Sequence, residues 1–146
     1  MSGNTITSAD VIITLSVINL YPRGVQLQGF AADNIYGTDA LTLAETVRGA
    51  DGKLSAGFVY SNINQTFYIM PDSESRDIFD TWSTMSRASV AVFRCNATVV
   101  LPALKRQYKC VNGVLKQWKA LPDAGRTLQA SQAIIEWESI TPEAFN

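Results

Sequence analysis

The stretch Leu41-Thr42-Leu43-Ala44-Glu45-Thr46-Val47-Arg48-Gly49-Ala50-Asp51-Gly52-Lys53-Leu54-Ser55-Ala56-Gly57-Phe58-Val59-Tyr60-Ser61 holds two extended segments around one sharp reversal. Two glycines flanking Asp51 supply the positive φ angles and side-chain-to-backbone bonds that a hairpin tip requires. Leu41–Arg48 and Leu54–Ser61 are therefore expected to pair, and the chain on either side reads as more of the same. Upstream, Val11–Val17 and Val25–Phe30 are short strands, with Tyr21-Pro22-Arg23-Gly24 predicted as the turn between them. An Asp/Asn/Gly-rich stretch, Ala31–Asp39, leads into the hairpin.

Downstream, Ile63–Met70 is one more strand, and Pro71 ends it. Asp72 or Ser73 can cap a helix that runs to about Arg87, with Glu74 and Asp77 near its positive end and Arg87 near its negative end. Ile78, Phe79, Trp82 and Met85 fall at i, i+1, i+4 and i+7. They form one apolar stripe, read as core packing against a sheet rather than a ligand groove.

The β pattern then resumes over Ser89–Cys95, Ala97–Leu101, Lys105–Val111, Val114–Leu121 and Ser131–Ile140. Asn112-Gly113 carries a strong type I′ turn signal, and 122–130 reads as a loop. The expectation is a mainly β fold: two packed antiparallel β-sheets, as a sandwich or barrel, with one flanking α-helix over about 73–87. All of 1–146 is expected to form one domain, since 146 residues can bury a core without disulfides or metals.

Apolar residues make up 47 % and charged residues 17 % of the chain, a globular composition. Met1–Asp10 carries no basic residue and lacks the pattern of a secretory signal. No apolar run approaches the roughly 20 residues that span a bilayer. Cys95 and Cys110 have no CxxC spacing and read as reduced, mostly buried thiols. Histidine is absent, which removes Ser-His-Asp and Cys-His catalysis, imidazole acid–base chemistry and His-bearing metal sites. Asp51 lacks the oxygen-ligand series of a calcium loop. Glu136 and Glu138, at i and i+2 on one strand, make a poor glycosidase pair. No catalytic, cofactor or metal site is expected.

The order of these pieces resembles the tail tube proteins of contractile-tailed bacteriophages. The resemblance runs from Phe30-Ala31-Ala32-Asp33-Asn34 through Leu43–Gly57, Gln65-Thr66-Phe67-Tyr68-Ile69, the helix start Pro71–Ser75 and Ile78-Phe79-Asp80-Thr81-Trp82. It closes on Ile134-Ile135-Glu136-Trp137-Glu138 and Pro142. It implies a structural virion protein whose subunits form hexameric rings, stacked into an inner tube inside a contractile sheath, through which DNA is ejected. It places the inter-ring contact at Thr46, Val47, Arg48, Gly49, Ala50, Asp51, Gly52 and Lys53, with the N-terminal segment also reaching an adjacent ring. Implied partners are other copies of the chain, the sheath protein, baseplate and tail-terminator proteins, and, in the lumen, the tape-measure protein and transient DNA. The implied location is the virion tail, assembled in the host cytoplasm.

Charge is segregated. Thr81–Pro122 holds Arg87, Arg94, Lys105, Arg106, Lys109, Lys116 and Lys119 and no carboxylate, leaving 5 of the 12 cations against all 13 carboxylates elsewhere. A turn at Asn112-Gly113 would set Lys109 opposite Lys116 and Arg106 opposite Lys119, which is unfavourable without acidic neighbours. A phosphate-gripping patch, a solvated surface and an assembly surface compete. The assembly reading is favoured: these cations meet carboxylates of a neighbouring strand, subunit or sheath, with Glu136 and Glu138, which share a face, as candidates. Tight DNA binding would obstruct a conduit, so the lumen is expected to be neutral or acidic. The rival functions are the tube of a secretion system or contractile bacteriocin and, from another class, a monomeric β-sandwich ligand-binding module.

Overall fold

The computed structural model describes residues 11–31 and 35–145. Nine strands and one α-helix follow in chain order: β1 (Ile12–Val17), β2 (Tyr21–Gln26), β3 (Tyr36–Thr38), β4 (Ala44–Arg48), β5 (Leu54–Phe58), β6 (Ile63–Ile69), α1 (Ser75–Ser89), β7 (Arg94–Leu101), β8 (Arg106–Trp118) and β9 (Ser131–Ala144). They make two antiparallel sheets, one of seven strands in the order β2-β1-β7-β8-β9-β6-β3 and one consisting of β4 and β5 alone. The fold is mainly β with one flanking helix.

Period-two patterning builds the large sheet. Ile63, Gln65, Phe67 and Ile69 on β6, and Ser131, Ala133, Ile135 and Trp137 on β9, all turn inward and are buried. They meet Ile13, Leu15 and Val17 of β1 and Cys95, Ala97 and Val99 of β7 in one core. The inner Gln65 is satisfied, since its Oε1 accepts a 2.9 Å hydrogen bond from Trp137 Nε1. The sheet curls strongly. Tyr36 on β3 lines one cleft with Tyr108 and Cys110 on β8, although three strand spacings would hold them about 14 Å apart if the sheet were flat. After β2 the chain crosses to the other end of the curl, where Phe30 bridges Ile69. There Gly29 O accepts from Met70 N (2.8 Å) and Ala31 N donates to Tyr68 O (3.0 Å). This single bridge does not become a ladder, so no barrel closes.

Helix α1 covers one opening of the curl. Phe79 and Trp82 are fully buried, and Phe79 stacks on Trp118 at 5.0 Å. Arg76 fixes the first turn, donating from Nη1 to Ser131 Oγ (2.9 Å) and from Nη2 to Ala120 O (2.6 Å). One turn on, Asp80 Oδ1 accepts from Trp118 Nε1 (2.7 Å). Ile78 is half-buried against the core, whereas Met85 is 41 % exposed and lies off the stripe expected of it. By that turn the helix has run past the sheet that Trp82 packs on. Residue 74 opens the helix without a side-chain cap, and Ser73 Oγ instead accepts from Ser75 N at 3.1 Å.

Three predicted turns and breaks differ from those observed. Tyr21-Pro22-Arg23-Gly24 lies inside β2, and the reversal is at Ile18–Leu20, where Asn19 takes φ 75°. Proline is tolerated there because β2 is an edge strand. Asn112-Gly113 makes no hairpin: β8 runs straight through it for 13 residues. Asn112 does take the positive φ its type favours, 53°, but in a bulge where residues 111 and 112 face Asn96 alone. Its N–H is held by Asn96 Oδ1 at 2.9 Å. Ser89–Cys95 and Ala97–Leu101 are likewise not two strands: Arg94–Leu101 is one, β7, and residues 89–93 are the end of α1 and a linker.

Candidate assembly surface

Strands β4 and β5 pair from Ala44↔Phe58 to Arg48↔Leu54. Their tip is closed by Gly49 N→Lys53 O (2.9 Å), Gly52 N→Gly49 O (3.0 Å) and Lys53 N→Asp51 Oδ1 (3.0 Å). Gly52 sits at φ 83°, which is why a glycine follows the aspartate. Every residue of Thr46, Val47, Arg48, Gly49, Ala50, Asp51, Gly52 and Lys53 is exposed, as is the rest of both strands. Register puts Ala44, Thr46 and Arg48 on one face with Phe58, Ala56 and Leu54, leaving Glu45 and Val47 on the other. At the root, Phe58 packs edge-on against Tyr60 at 5.0 Å, and Tyr60 is 94 % exposed. Leu41, Leu43, Val47 and Leu54 are likewise in solvent. The smaller sheet is thus an apolar ribbon that buries neither face. The N-terminal segment expected to join it in reaching a neighbour, 1–10, lies outside the described residues.

Lys109 and Lys116 sit on the outer face of β8, and Glu136 and Glu138 on that of β9. Arg106, opposite Leu101 and of one parity with Tyr108 and Cys110, starts β8 on the inner side, and Lys119 follows its end. Because β8 is one strand, Lys109 is not opposite Lys116, nor Arg106 opposite Lys119. Lys116 Nζ meets Glu136 at 3.4 Å, and Lys109 Nζ meets Glu143, a partner the sequence reading missed, at 3.5 Å. Lys119 Nζ meets Asp123 at 2.6 Å, an i,i+4 pair. Glu138 accepts from Asn112 Nδ2 at 3.2 Å, and Glu136 also accepts from Asn62 Nδ2 at 3.0 Å. The carboxylates that answer these cations belong to the adjacent strand and loop of the same chain. Arg106, paired in register with Ala144, is in no such contact among the described residues.

Inside the curl a cleft of ≈ 380 Å³ opens beside Tyr36, Asp39, Gln65, Tyr108 and Cys110. Asp39 is its one carboxylate, so it offers no acid–base pair. Burial raises the Tyr36 phenol, with Tyr108 and Cys110 adding to the shift. Burial pushes the Cys110 thiol up to about 12, so it is protonated and poorly nucleophilic at neutral pH. No group of three or more Cys, Asp or Glu among the described residues is placed to hold a metal.

The profile of one sequence family, described as "Tail fiber protein gp32", matches residues 4–141. No curated protein matches the sequence. Among solved structures, the fold resembles a chain of the six-fold symmetrised baseplate of the anti-feeding prophage, with TM-score 0.58, 10 % identity, and 99 % of this chain and 98 % of that one covered. It also resembles a chain of the sheath–tube complex of the PVC extracellular contractile injection system in its extended state, with TM-score 0.56, 12 % identity, and 96 % and 92 % covered. A chain of the anti-feeding prophage tube-terminating cap gives TM-score 0.55, 11 % identity, and 99 % and 94 % covered. At these identities the likeness is one of fold.

Proposed function

The chain belongs to the Tail fiber protein gp32 family, and from that starting point we propose that it is a tube-forming structural subunit of a contractile tail, not an enzyme. Six copies close into a ring, rings stack into a tube within a sheath, and baseplate and terminator proteins bound its ends. The observation that carries this reading is the β4–β5 ribbon, which leaves Val47, Leu54 and Phe58 in water on both faces. A lone two-stranded ribbon is marginally stable, and its open edges invite pairing with other chains. Copies placed side by side in a ring pair both edges, which turns one face of the ribbon to the lumen and the other to the body of the ring. The Thr46–Lys53 tip then meets the next ring. The fold likeness to chains of a six-fold baseplate and a sheath–tube complex supports the same arrangement.

In this reading the lumen carries DNA and stays neutral or acidic. The ribbon fits that role, since Glu45 and Asp51 balance Arg48 and Lys53. The family's description favours a second reading, a fibre component that keeps the tube fold without polymerising. Negative-stain electron microscopy across a concentration series, with sizing chromatography alongside, separates the two. Hollow rings or tubes are expected from the wild-type chain, and Val47→Glu or Phe58→Glu should abolish them while leaving the melting temperature within a few degrees. Particles that stay monomeric at every concentration would reject the tube reading in favour of the fibre component.

A further inference from the structure

We propose that copies of this chain join head to tail through two unlike patches at opposite ends of α1. Val90 and Val92 with Arg87 and Arg94 on one copy meet Leu121 with Glu74 and Asp77 on the next. The inference rests on the ring reading above and names the contact that would close the ring.

The first patch begins with a conformational anomaly. Val90 ends α1 in the left-handed region, φ 50° and ψ 44°, where its N–H caps Ser86 O. Glycine is the usual residue there, and a β-branched side chain is strained. The valine side chain gains nothing inside its own molecule, since Val90 is 91 % exposed and Val92 beside it is exposed as well. Ile18, also exposed, joins them, with its N–H donated to Arg94 O at 2.9 Å. Arg87 and Arg94 border the patch, and the three ion pairs among the described residues use Lys109, Lys116 and Lys119 instead. No carboxylate occurs in sequence from Thr81 to Pro122, so the segment that carries the patch contributes apolar and positive side chains only.

The second patch has the opposite sign. Asp72, Glu74 and Asp77 are all exposed around the start of α1. The one cation of that turn, Arg76, points inward to Ser131 and to Ala120 O. The residue after Ala120 is Leu121, 83 % exposed. The helix macrodipole accounts for acids at one end and a base at the other. It does not account for apolar side chains held in water beside each.

Opposite charge and shared apolarity make each patch the complement of the other, which commits the partner to a second copy of this chain. The patches lie at the two ends of a 15-residue helix, about 22 Å apart. A contact that joins unlike patches is heterologous, and repeated with a closing rotation it yields a ring.

The test uses two charge-swap variants of the full chain, Arg87→Glu/Arg94→Glu and Glu74→Lys/Asp77→Lys, read by sedimentation velocity and electron microscopy. Each alone should stay monomeric where the wild type forms rings. An equimolar mixture should form rings again, because every junction between unlike variants restores opposite charges. Val92→Ser, which lies outside the helix, should raise the half-assembly concentration at least tenfold with an unchanged circular-dichroism spectrum. Normal rings from either charge variant alone, a mixture that stays monomeric, or an unaffected Val92→Ser would each overturn the contact while the wild type's rings keep the tube reading intact. A wild type that never assembles removes both.

Discussion

Gly113 sits on the inner face of β8 with the Trp137 ring against it, and a Cβ there would collide with that ring. Gly113→Ala should therefore cost about 1–3 kcal/mol, the usual penalty for overpacking a filled core, read as a lower urea midpoint. Val90 invites the opposite experiment. Val90→Gly removes a left-handed β-branched residue and should stabilise the monomer by about 1 kcal/mol, although it strips an apolar side chain from the surface. The two cysteines set a pH limit. Burial raises Cys95 and Cys110 from 9.0 to about 12 each, so between those values the unfolded chain has lost protons the native chain keeps. Stability is unaffected by these thiols below about pH 9 and falls above it by up to ~1.4 kcal/mol per pH unit for each. Thermal melts from pH 8 to 11 measure this, and thiol reagents at pH 7.5 should label neither cysteine until the protein unfolds. Asn112-Gly113 shows where single residues mislead. Its positive φ was legible, but positive φ serves a bulge as well as a turn, and only the distant Asn96 and Trp137 decide which.

Among the elements, β1, β6 and β9 were readable because one face of each is buried and their apolar residues alternate cleanly. The helix was readable from its stripe, except at Met85, since a stripe does not reveal where the opposing sheet ends. The lysine partners were half readable: shared parity placed Glu136 and Glu138 on one face, but Glu143 depends on β9 running on past Ile140 to Ala144. Pro142, beyond the expected end of that strand, pairs in register with Tyr108. The ribbon's hairpin was plain from Gly49 and Gly52, whereas its complete exposure was not, because exposure depends on what surrounds a strand. Amides of β4 and β5 should exchange within the fastest class in the monomer, since few buried contacts hold the ribbon. They should become protected on assembly, which hydrogen-exchange mass spectrometry would detect.

At the scale of the whole molecule, the net charge of −1 conceals a basic middle and acidic flanks. Contacts between copies should accordingly weaken with salt. Raising ionic strength from about 0.05 to 0.5 M shortens the screening length from about 14 Å to about 4 Å and should shift assembly to higher concentration, visible by light scattering. The curl itself was not legible, because it depends on the crossing after β2 and on the Phe30–Ile69 bridge, and no local pattern encodes either. That bridge has a mechanical meaning. The wall is a split hoop fastened by one short rivet. Two backbone hydrogen bonds beside Phe30, and two more between Gln28 and the hydroxyls of Ser73 and Ser75, resist widening, while β8 and β9 are paired at 11 positions along their length. A load that dilates the hoop can spring the rivet and leave all six ladders zipped; a load that shears β8 past β9 must break a seam. The subunit is therefore compliant in girth and stiff along its longest strands.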